Sequence, residues 1–190
     1  MATEIKLLKT MKTLFLDIDG VLITSRSRLA IGGYPAFDPV ACQLIDTLCS
    51  HTSAKLVICS AWRERRTKAE MEEIFASVSI SKDHLHDEWA TPIIGGQRVK
   101  EIQDWLQRHP ETTHYAILDD GIGLEGLEHR VVQPDSDIGI LIEHIIDLCA
   151  LLDEQFEKWF LDAGVKPTKN DFHRYSLKTG MVFPDTRRYL

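Results

Sequence analysis

Residues 14–22 read LFLDIDGVL, and the rest of the chain is arranged around them. Three large apolar residues lead directly into Asp17, and a second acid, Asp19, stands before Gly20. An apolar run that stops at a glycine predicts a buried strand followed by a tight turn. Two carboxylates at the mouth of a parallel sheet suit a hard divalent cation such as Mg2+, with one acid as nucleophile and the other as proton carrier. The alternative is a strand end with two solvated acids.

The rest of the chain alternates between predicted strands and helices. Strands are expected at about residues 13–18, 55–59, 91–94, 114–118 and 130–133, and helices at about 38–50, 61–78, 97–108 and 137–152. Asp38 and Pro39 predict the start of the first helix, as an N-cap and a first-turn proline. Its inward face is expected to hold Val40, Leu44, Ile45 and Leu48. Residues 21–37 contain two glycines and a proline, which predict a loop or a short hairpin.

This alternation predicts a three-layer α/β/α fold, a Rossmann-like parallel sheet with helices on both faces. We expect one catalytic domain over residues 11–152 and a C-terminal extension over residues 153–190. The extension is expected to pack on the core through Phe172, Tyr175, Phe183 and Tyr189. Parallel sheets bind ligands at the C-terminal ends of their strands. The polar residues that follow three of the predicted strands at this edge are Asp17, Asp19, Ser60, Asp119 and Asp120.

Composition is that of an ordinary globular protein. Of 190 residues, 44% are hydrophobic and 27% are charged. No apolar run approaches the roughly 18 residues of a membrane span, and residues 1–12 lack the apolar block of a signal peptide. We therefore expect a cytoplasmic protein with no membrane span. The four cysteines include no CxxC pair, which indicates buried thiols and argues against disulfides or a zinc site: Cys42, Cys49, Cys59 and Cys149.

Charge is unevenly distributed along the chain. The net charge of −7 argues weakly against general nucleic-acid binding. Basic residues nevertheless follow the first two strands: Arg26, Arg28, Arg63, Arg65, Arg66 and Lys68. An acidic body with basic loops near an acidic site fits an anionic substrate. The alternative is that any one of these residues is an ordinary solvent-exposed charged side chain with no role in binding.

Four motifs in order resemble the haloacid dehalogenase-like (HAD) phosphohydrolases. They are DIDGV at 17–21, VICS at 57–60, a cation at a helix start offered by Arg98 or Lys100, and LDD at 118–120. Four further stretches, SAWR at 60–63, TP at 91–92, RVKEIQDWL at 98–106 and LDDG at 118–121, are similar to a capless bacterial and phage subgroup. Members of that subgroup occur in nucleic-acid repair proteins.

The resemblance implies a Mg2+-dependent phosphatase that hydrolyses a phosphomonoester through an aspartyl-phosphate. Asp17 would attack phosphorus, and Asp19 would protonate the leaving oxygen and then activate water. Mg2+ would be held by Asp17, Asp19 and Asp120, while Asp119 would join this set or orient the cationic residue or a metal-bound water.

The remaining site residues follow from the same resemblance. Ser60 and Ala61, together with Arg98 or Lys100, would bind the transferring phosphoryl group. The candidate substrate-binding residues are Arg26, Arg28 and Arg63. Alternative interpretations make Ser60 a helix cap and pair Arg63 with a surface acid. Two neighbouring histidines, His84 and His86, are interpreted as solvated and not as a metal site, and the four tryptophans as packing residues.

Substrate size is predicted from the spacing of the motifs. The segments between Asp19 and Ser60 and between Ser60 and Arg98 are too short for a folded cap once their helices and strands are counted. An open site predicts a macromolecular substrate, either a phosphoprotein or a nucleic-acid end. A phosphotransferase and a non-catalytic module that binds phosphoryl groups or partners are alternatives. The sequence does not indicate whether the phosphomonoester is a nucleotide, a nucleic-acid end, a phosphoprotein or a small metabolite, and it does not indicate the oligomeric state.

Overall fold

A computed structural model describes residues 10–152, 160, 164 and 166–179 of the chain. Its centre is a sheet of five parallel strands in the order β3-β2-β1-β4-β5. The strands are β1 (Met11–Leu16), β2 (Lys55–Ile58), β3 (Leu85–Ala90), β4 (Thr112–Leu118) and β5 (Val131–Val132). Because β1 lies in the middle, the acids that follow it emerge at the centre of one sheet edge.

Six α-helices connect or cover the strands in the described residues. They are α1 (Ser25–Ile31), α2 (Pro39–Thr52), α3 (Lys68–Ser77), α4 (Arg98–Arg108), α5 (Ile142–Leu151) and α6 (Lys169–Thr179). Short 3-10 helices occupy Ala61–Arg65, Lys82–His84 and Glu128–Arg130. None of the helices in this part of the chain is both long and apolar enough to cross a membrane.

Two apolar clusters lie on opposite faces of the sheet. Side chains alternate between faces along a strand, so Leu14 and Leu16 of β1 enter one cluster and Phe15 enters the other. The first cluster packs against α2, α3 and α5, and the second against α4 and residues 124–127. The predicted three-layer α/β/α fold is confirmed. Within the described range 10–152, the motif spacings are filled by short helices and strands, with no separate cap domain.

Helix α2 begins where the sequence predicts. The Asp38 carboxylate accepts hydrogen bonds from the amides of Val40 and Ala41, at 2.9 and 3.3 Å. The predicted inward face is wrong at Val40, which is 60% exposed. Its place in the first turn, beside the capping acid, points it away from the stripe that contains Ala41 and Ile45.

Two predicted segments differ in the structure. Residues 21–37 contain helix α1, whose start is closed by a capping box between Thr24 and Ser27. Because α1 exposes Leu29 and Ile31, it carries no buried stripe that periodicity could detect. The predicted helix over 61–78 is split into a 3-10 helix and α3, and α3 starts at a second capping box between Thr67 and Glu70.

Two element positions were also wrong. The strand expected at 91–94 lies at Leu85–Ala90, and Pro92, which cannot donate to a ladder, follows it. Helix α5 begins at Ile142 and not at 137, because residues 135–139 form a turn in which the Asp135 carboxylate accepts hydrogen bonds from the amides of Asp137 and Ile138.

Helix α6 of the predicted extension packs against α5. Phe172 and Tyr175 are buried in the first apolar cluster, and Arg174 binds both carboxylate oxygens of Asp147, at 2.9 and 2.6 Å. Phe183 and Tyr189 lie outside the described residues. The division of the chain at residue 152 stays a prediction.

All four cysteines are buried, and none of them forms a disulfide. Burial raises the pKa of the Cys42 thiol to about 12, and the charge of Asp38 adds to the shift. Burial also raises the pKa of the Cys49 and Cys59 thiols, so these three cysteines are neutral at physiological pH.

Candidate active site

Three strands deliver polar side chains to one edge of the sheet. Asp17 follows β1, Ser60 follows β2 after one residue, and Asp119 follows β4. The ladder hydrogen bonds continue past the strand ends, since the amide of Asp17 donates to Leu118 at 2.9 Å and that of Asp119 to Val132 at 3.2 Å. The backbone that carries both acids is therefore held by the sheet itself.

Asp17, Asp119 and Asp120 converge into what we call the acid cluster. One carboxylate oxygen from each lies within 4.8 Å of the others. Burial raises the pKa of Asp119 although Arg98 opposes the shift, and burial with the charges of Asp17 and Asp119 raises the pKa of Asp120. The arrangement concentrates negative charge that a cation would stabilise.

Arg98 provides a fixed positive charge beside this cluster. Its guanidinium donates to the Asp17 carboxylate at 2.6 Å and, through the same nitrogen, to that of Asp119. Asp119 also accepts a hydrogen bond from the amide of Gly121, at 2.8 Å. Lys100, the other candidate cation, is exposed and lines the neighbouring cleft. Arg98 is thus the residue of the two that contacts the carboxylates.

A cleft of about 680 Å³ opens from Asp17 and Asp119 towards solvent. One wall is the start of α4, from Gly96 to Lys100 with Gln103, and the other is residues 121–125. The cleft is large enough to admit a phosphoryl group next to Asp17.

Gly20 leaves the space that Asp120 occupies. Its φ of +79° is one that side-chain-bearing residues rarely adopt, and a Cβ there would lie 2.2 Å from the carboxyl carbon of Asp120. The absence of a side chain at position 20 therefore lets Asp120 reach the cluster. Carboxylate oxygens in this number and type fit Mg2+, which takes hard oxygen ligands.

Asp19 occupies a different environment from Asp17. Its carboxylate accepts hydrogen bonds from the Trp62 indole at 2.9 Å, the Tyr34 hydroxyl at 3.1 Å and the Arg28 guanidinium at 3.2 Å. We call these three donors the Asp19 clamp. The carboxylate of Asp19 is not one of those that converge in the acid cluster, and metal binding by this residue stays a prediction.

The clamp joins a buried residue to an exposed one. Trp62 is 5% exposed and packs edge-on against Phe37, with ring centroids 5.5 Å apart. Tyr34 is 57% exposed, and the guanidinium of Arg28 lies 5.2 Å from its ring centre. The charge of Asp19 contributes, after burial, to a raised pKa of the Tyr34 hydroxyl.

Sequence reasoning missed both aromatic donors. It treated Trp62 as a packing residue and assigned nothing to Tyr34. A signal existed for Trp62, because a buried indole N–H normally finds an acceptor and Trp62 stands two residues after Ser60. No local pattern connects Tyr34 with Asp19.

Arg63 faces the interior, which corrects its assignment to substrate. A guanidinium has five N–H donors, and each of those of Arg63 has an acceptor. The acceptors are the carbonyl oxygens of Cys59, Ser60, Thr91 and Pro92 and a carboxylate oxygen of Glu101. The Glu101 contact is 2.6 Å and buried, so the expected surface acid is in fact a core residue. Arg63 ties the end of β2 to α4 and has no donor left for a ligand.

The other predicted residues lie around the edge of the site. Ser60 is buried, and its hydroxyl accepts the amide of Trp62 at 3.5 Å, which is the helix-cap geometry of the alternative interpretation. Ala61 beside it is exposed. Arg26 pairs with Asp38 at 2.6 Å, away from the acid cluster. Roles in phosphate or substrate binding for these residues stay predictions.

Comparison with known proteins supports the family resemblance that the motifs indicate. A family model described as the HAD domain in Swiss Army Knife RNA repair proteins matches residues 13–145. The chain belongs to this family, and the predicted resemblance is confirmed. Membership makes it a HAD-type hydrolase in general terms. Searches of curated proteins and of solved structures found no significant match.

Proposed function

We propose that this HAD-family chain is a Mg2+-dependent phosphatase that removes a terminal phosphate from a nucleic-acid end. The observation that carries the proposal is the acid cluster with Arg98 bridging Asp17 and Asp119. A buried acid can act as the nucleophile on a phosphate, and a guanidinium beside it can stabilise the charge of the transferring group.

Asp17 is the proposed nucleophile. One of its oxygens accepts the amide of Ile18 at 2.8 Å and the other accepts Arg98, so the side chain is oriented from both sides. In the first step an Asp17 oxygen bonds to phosphorus and the ester P–O bond breaks. Arg98, with its charge held next to Asp17, stabilises the oxygens of the transferring group.

Asp19 is the proposed acid and base. It gives its proton to the leaving oxygen in the first step. In the second step it takes a proton from water as the water oxygen bonds to phosphorus, and the Asp17–phosphorus bond breaks to release inorganic phosphate. The clamp holds the Asp19 carboxylate outside the acid cluster, and the proposed role of Asp19 places the leaving group on the side of the clamp.

The acid cluster is the proposed metal site. Asp17 and Asp120 would hold Mg2+, with Asp119 bonded to Arg98 beside them. Mg2+ bound there would neutralise the carboxylate and phosphate charges that otherwise repel each other. The missing side chain at Gly20 supports this assignment, since it keeps Asp120 in reach of Asp17.

A nucleic-acid end is favoured over a phosphoprotein by the family match and by the surroundings of Asp19. The cleft has no cap over it in residues 10–152, so the substrate itself must exclude water. On the leaving-group side, Tyr34 offers an exposed aromatic face on which a base can stack, beside the cation of Arg28.

The test measures phosphate release from five substrates with Mg2+ or with a chelator. They are 3′-phosphorylated and 5′-phosphorylated oligonucleotides, a phosphopeptide, a free nucleotide and an aryl phosphate. We expect an oligonucleotide kcat/KM at least about tenfold above that of the small compounds, and no turnover by Asp17→Asn or without metal. Asp87→Asn removes a fully exposed acid from the outside of β3 and serves as the matched control.

Each other outcome removes a specific part of the proposal. Equal turnover of the small compounds contradicts the macromolecular substrate, and a preferred phosphopeptide contradicts the nucleic-acid end. Phosphate transfer to an added alcohol, seen in the products, identifies a phosphotransferase. Saturable binding without any turnover identifies a non-catalytic module.

A further inference from the structure

A second group of ligand side chains lies at the opposite edge of the sheet. His86 is near the start of β3, His109 caps the end of α4, and Glu111 precedes β4. One ligand atom from each lies within 4.8 Å of the others. Because all strands are parallel, this edge is the amino-terminal one, remote from the acid cluster. The sequence pair His84 and His86 is not the pair that meets here, since His84 binds Asp46 instead, at 3.1 Å.

His109 is oriented as a metal ligand would be. Its Nδ1 lies 2.8 Å from the carbonyl oxygen of Trp105, which can only accept, so Nδ1 carries a proton. The imidazole also stacks on the Trp105 ring, with centroids 3.7 Å apart. Metal-binding histidines usually donate their second nitrogen to such an acceptor. Nε2 is on the other side of the ring from this bond and lies 3.1 Å from a carboxylate oxygen of Glu88. A metal ion at Nε2 would replace the proton that can otherwise lie between these two atoms.

His86 can present its second nitrogen in the same way. Its Nδ1 accepts a hydrogen bond from the amide of Glu88 at 3.0 Å and lies 3.2 Å from the carbonyl oxygen of the same residue. Metal binding through Nε2 selects the other tautomer, in which Nδ1 donates to that carbonyl oxygen and Nε2 keeps its lone pair. The rings of His86 and His109 meet edge-to-face with centroids 5.1 Å apart.

Glu111 is the third member of the group, and in the described part of the chain its carboxylate is not hydrogen-bonded to either histidine. None of the hydrogen bonds described for residues 10–152 joins its carboxylate to either imidazole. Ligands at about 2.0–2.2 Å from one ion are separated from each other by roughly 3–4 Å. Three donors within 4.8 Å that do not bond to one another leave a space suited to one ion.

We propose that His86, His109 and Glu111 bind one Zn2+ ion, with water as the fourth ligand. Two imidazoles and a carboxylate suit Zn2+, whereas Mg2+ prefers oxygen ligands alone. Glu88 is already held by Arg108 and stays beside the ion as an acceptor. The ion joins β3, the end of α4 and the start of β4. Since α4 carries Arg98 at its other end, the site stabilises the frame of the active site and takes no part in its chemistry.

The experiment titrates chelator-treated full-length protein with Zn2+ in excess Mg2+, which occupies the acid cluster. Calorimetry and thermal unfolding are the readouts. We expect one Zn2+ per chain, a raised Tm, and an affinity at least about tenfold weaker in His86→Ala and in Glu111→Gln. Both residues are only partly buried, and Glu111→Gln keeps the side-chain volume, whereas His86→Ala also removes an edge-on contact with the Trp105 ring. His129→Ala, which removes an exposed histidine, is the matched control and should bind as the unmodified chain does.

Co2+ in place of Zn2+ supplies a readout independent of stability. The proposed ligands predict the visible spectrum of tetrahedral Co2+ without thiolate charge-transfer bands, because all four cysteines are buried elsewhere. Lack of saturable Zn2+ binding overturns the proposal. Unchanged affinity in both His86→Ala and Glu111→Gln, thiolate bands, or loss of binding in His129→Ala overturns it as well. None of these results depends on phosphatase activity.

Discussion

Asp17 and Asp19 are separated by one residue, yet their side chains have opposite surroundings. The side chain of Asp17 is 11% exposed and is held by Arg98 and by the amide of Ile18. The side chain of Asp19 is 43% exposed and is held by the clamp. The acid cluster is built from the ends of strands, and the clamp is built from the segments between strands. Residues in one short motif can thus serve two separate functions because different parts of the fold complete them.

The turn after β1 is the physical cause of this difference. The carbonyl oxygen of Ile18 accepts the amides of Leu22 and Ile23, at 2.8 and 3.0 Å, which bends the chain just after Asp17. Ile18 itself is fully buried. The chain therefore leaves the extended path on which residues 17 and 19 would share a face.

The largest expected effect comes from breaking the acid cluster at Arg98. Arg98→Ala leaves the charges of Asp17 and Asp119 without their guanidinium partner, and we expect kcat/KM to fall by about 100- to 1000-fold. Lys100→Ala, two residues along the same helix, is the control and should change kcat/KM by less than about threefold. Steady-state kinetics on the preferred substrate measure both. A larger loss in the Lys100 variant would reverse the assignment of the phosphate-binding cation.

An intermediate effect is expected from filling the space beside Asp120. Gly20→Ala would push a Cβ into that carboxylate, so we expect Mg2+ affinity to fall at least about tenfold. Gly32→Ala is a matched control, because Gly32 has a similar φ of +84° and nothing within 4 Å of an added Cβ. Both variants share a backbone strain of about 1–3 kcal/mol. Equal Mg2+ affinity in the two would exclude Asp120 from the metal site.

The smallest effects are expected from the clamp. Trp62→Phe keeps an aromatic ring against Phe37 but removes the buried donor to Asp19, and we expect kcat to fall about tenfold. Tyr34→Phe should lower kcat by only about threefold, since water can replace an exposed hydroxyl.

Leaving-group dependence tests whether the clamp acts through Asp19. The losses of kcat in Trp62→Phe and in Tyr34→Phe should be larger for a substrate with a poor leaving group than for an aryl phosphate. Only the poor leaving group needs a proton from Asp19. Mg2+ affinity should not change in either variant. A loss of Mg2+ affinity equal to that of Gly20→Ala would mean that the clamp and the acid cluster are one unit.

Much of the frame follows from local signals. An apolar run that ends at Asp17 predicts β1 and its edge, and Asp38 with Pro39 predicts the start of α2. Helix α1 and the break at Thr67 were missed because exposed helices lack a buried stripe and because a capping box can divide one helical pattern into two. Local signals therefore predict the existence of a strand or helix more reliably than they predict its ends.

By itself, the sequence determined the alternation of strands and helices and the acids at the strand ends. Both depend on neighbouring residues, through apolar runs, turn residues and caps. It could not decide between Arg98 and Lys100, because residues two apart on a helix are rotated by about 200° and only its docking decides which one faces Asp17. Tertiary structure also turned Arg63 inward to Glu101 and brought Trp62 to Asp19. Such contacts join residues far apart in the chain, so they exist only once the sheet order has placed their elements side by side.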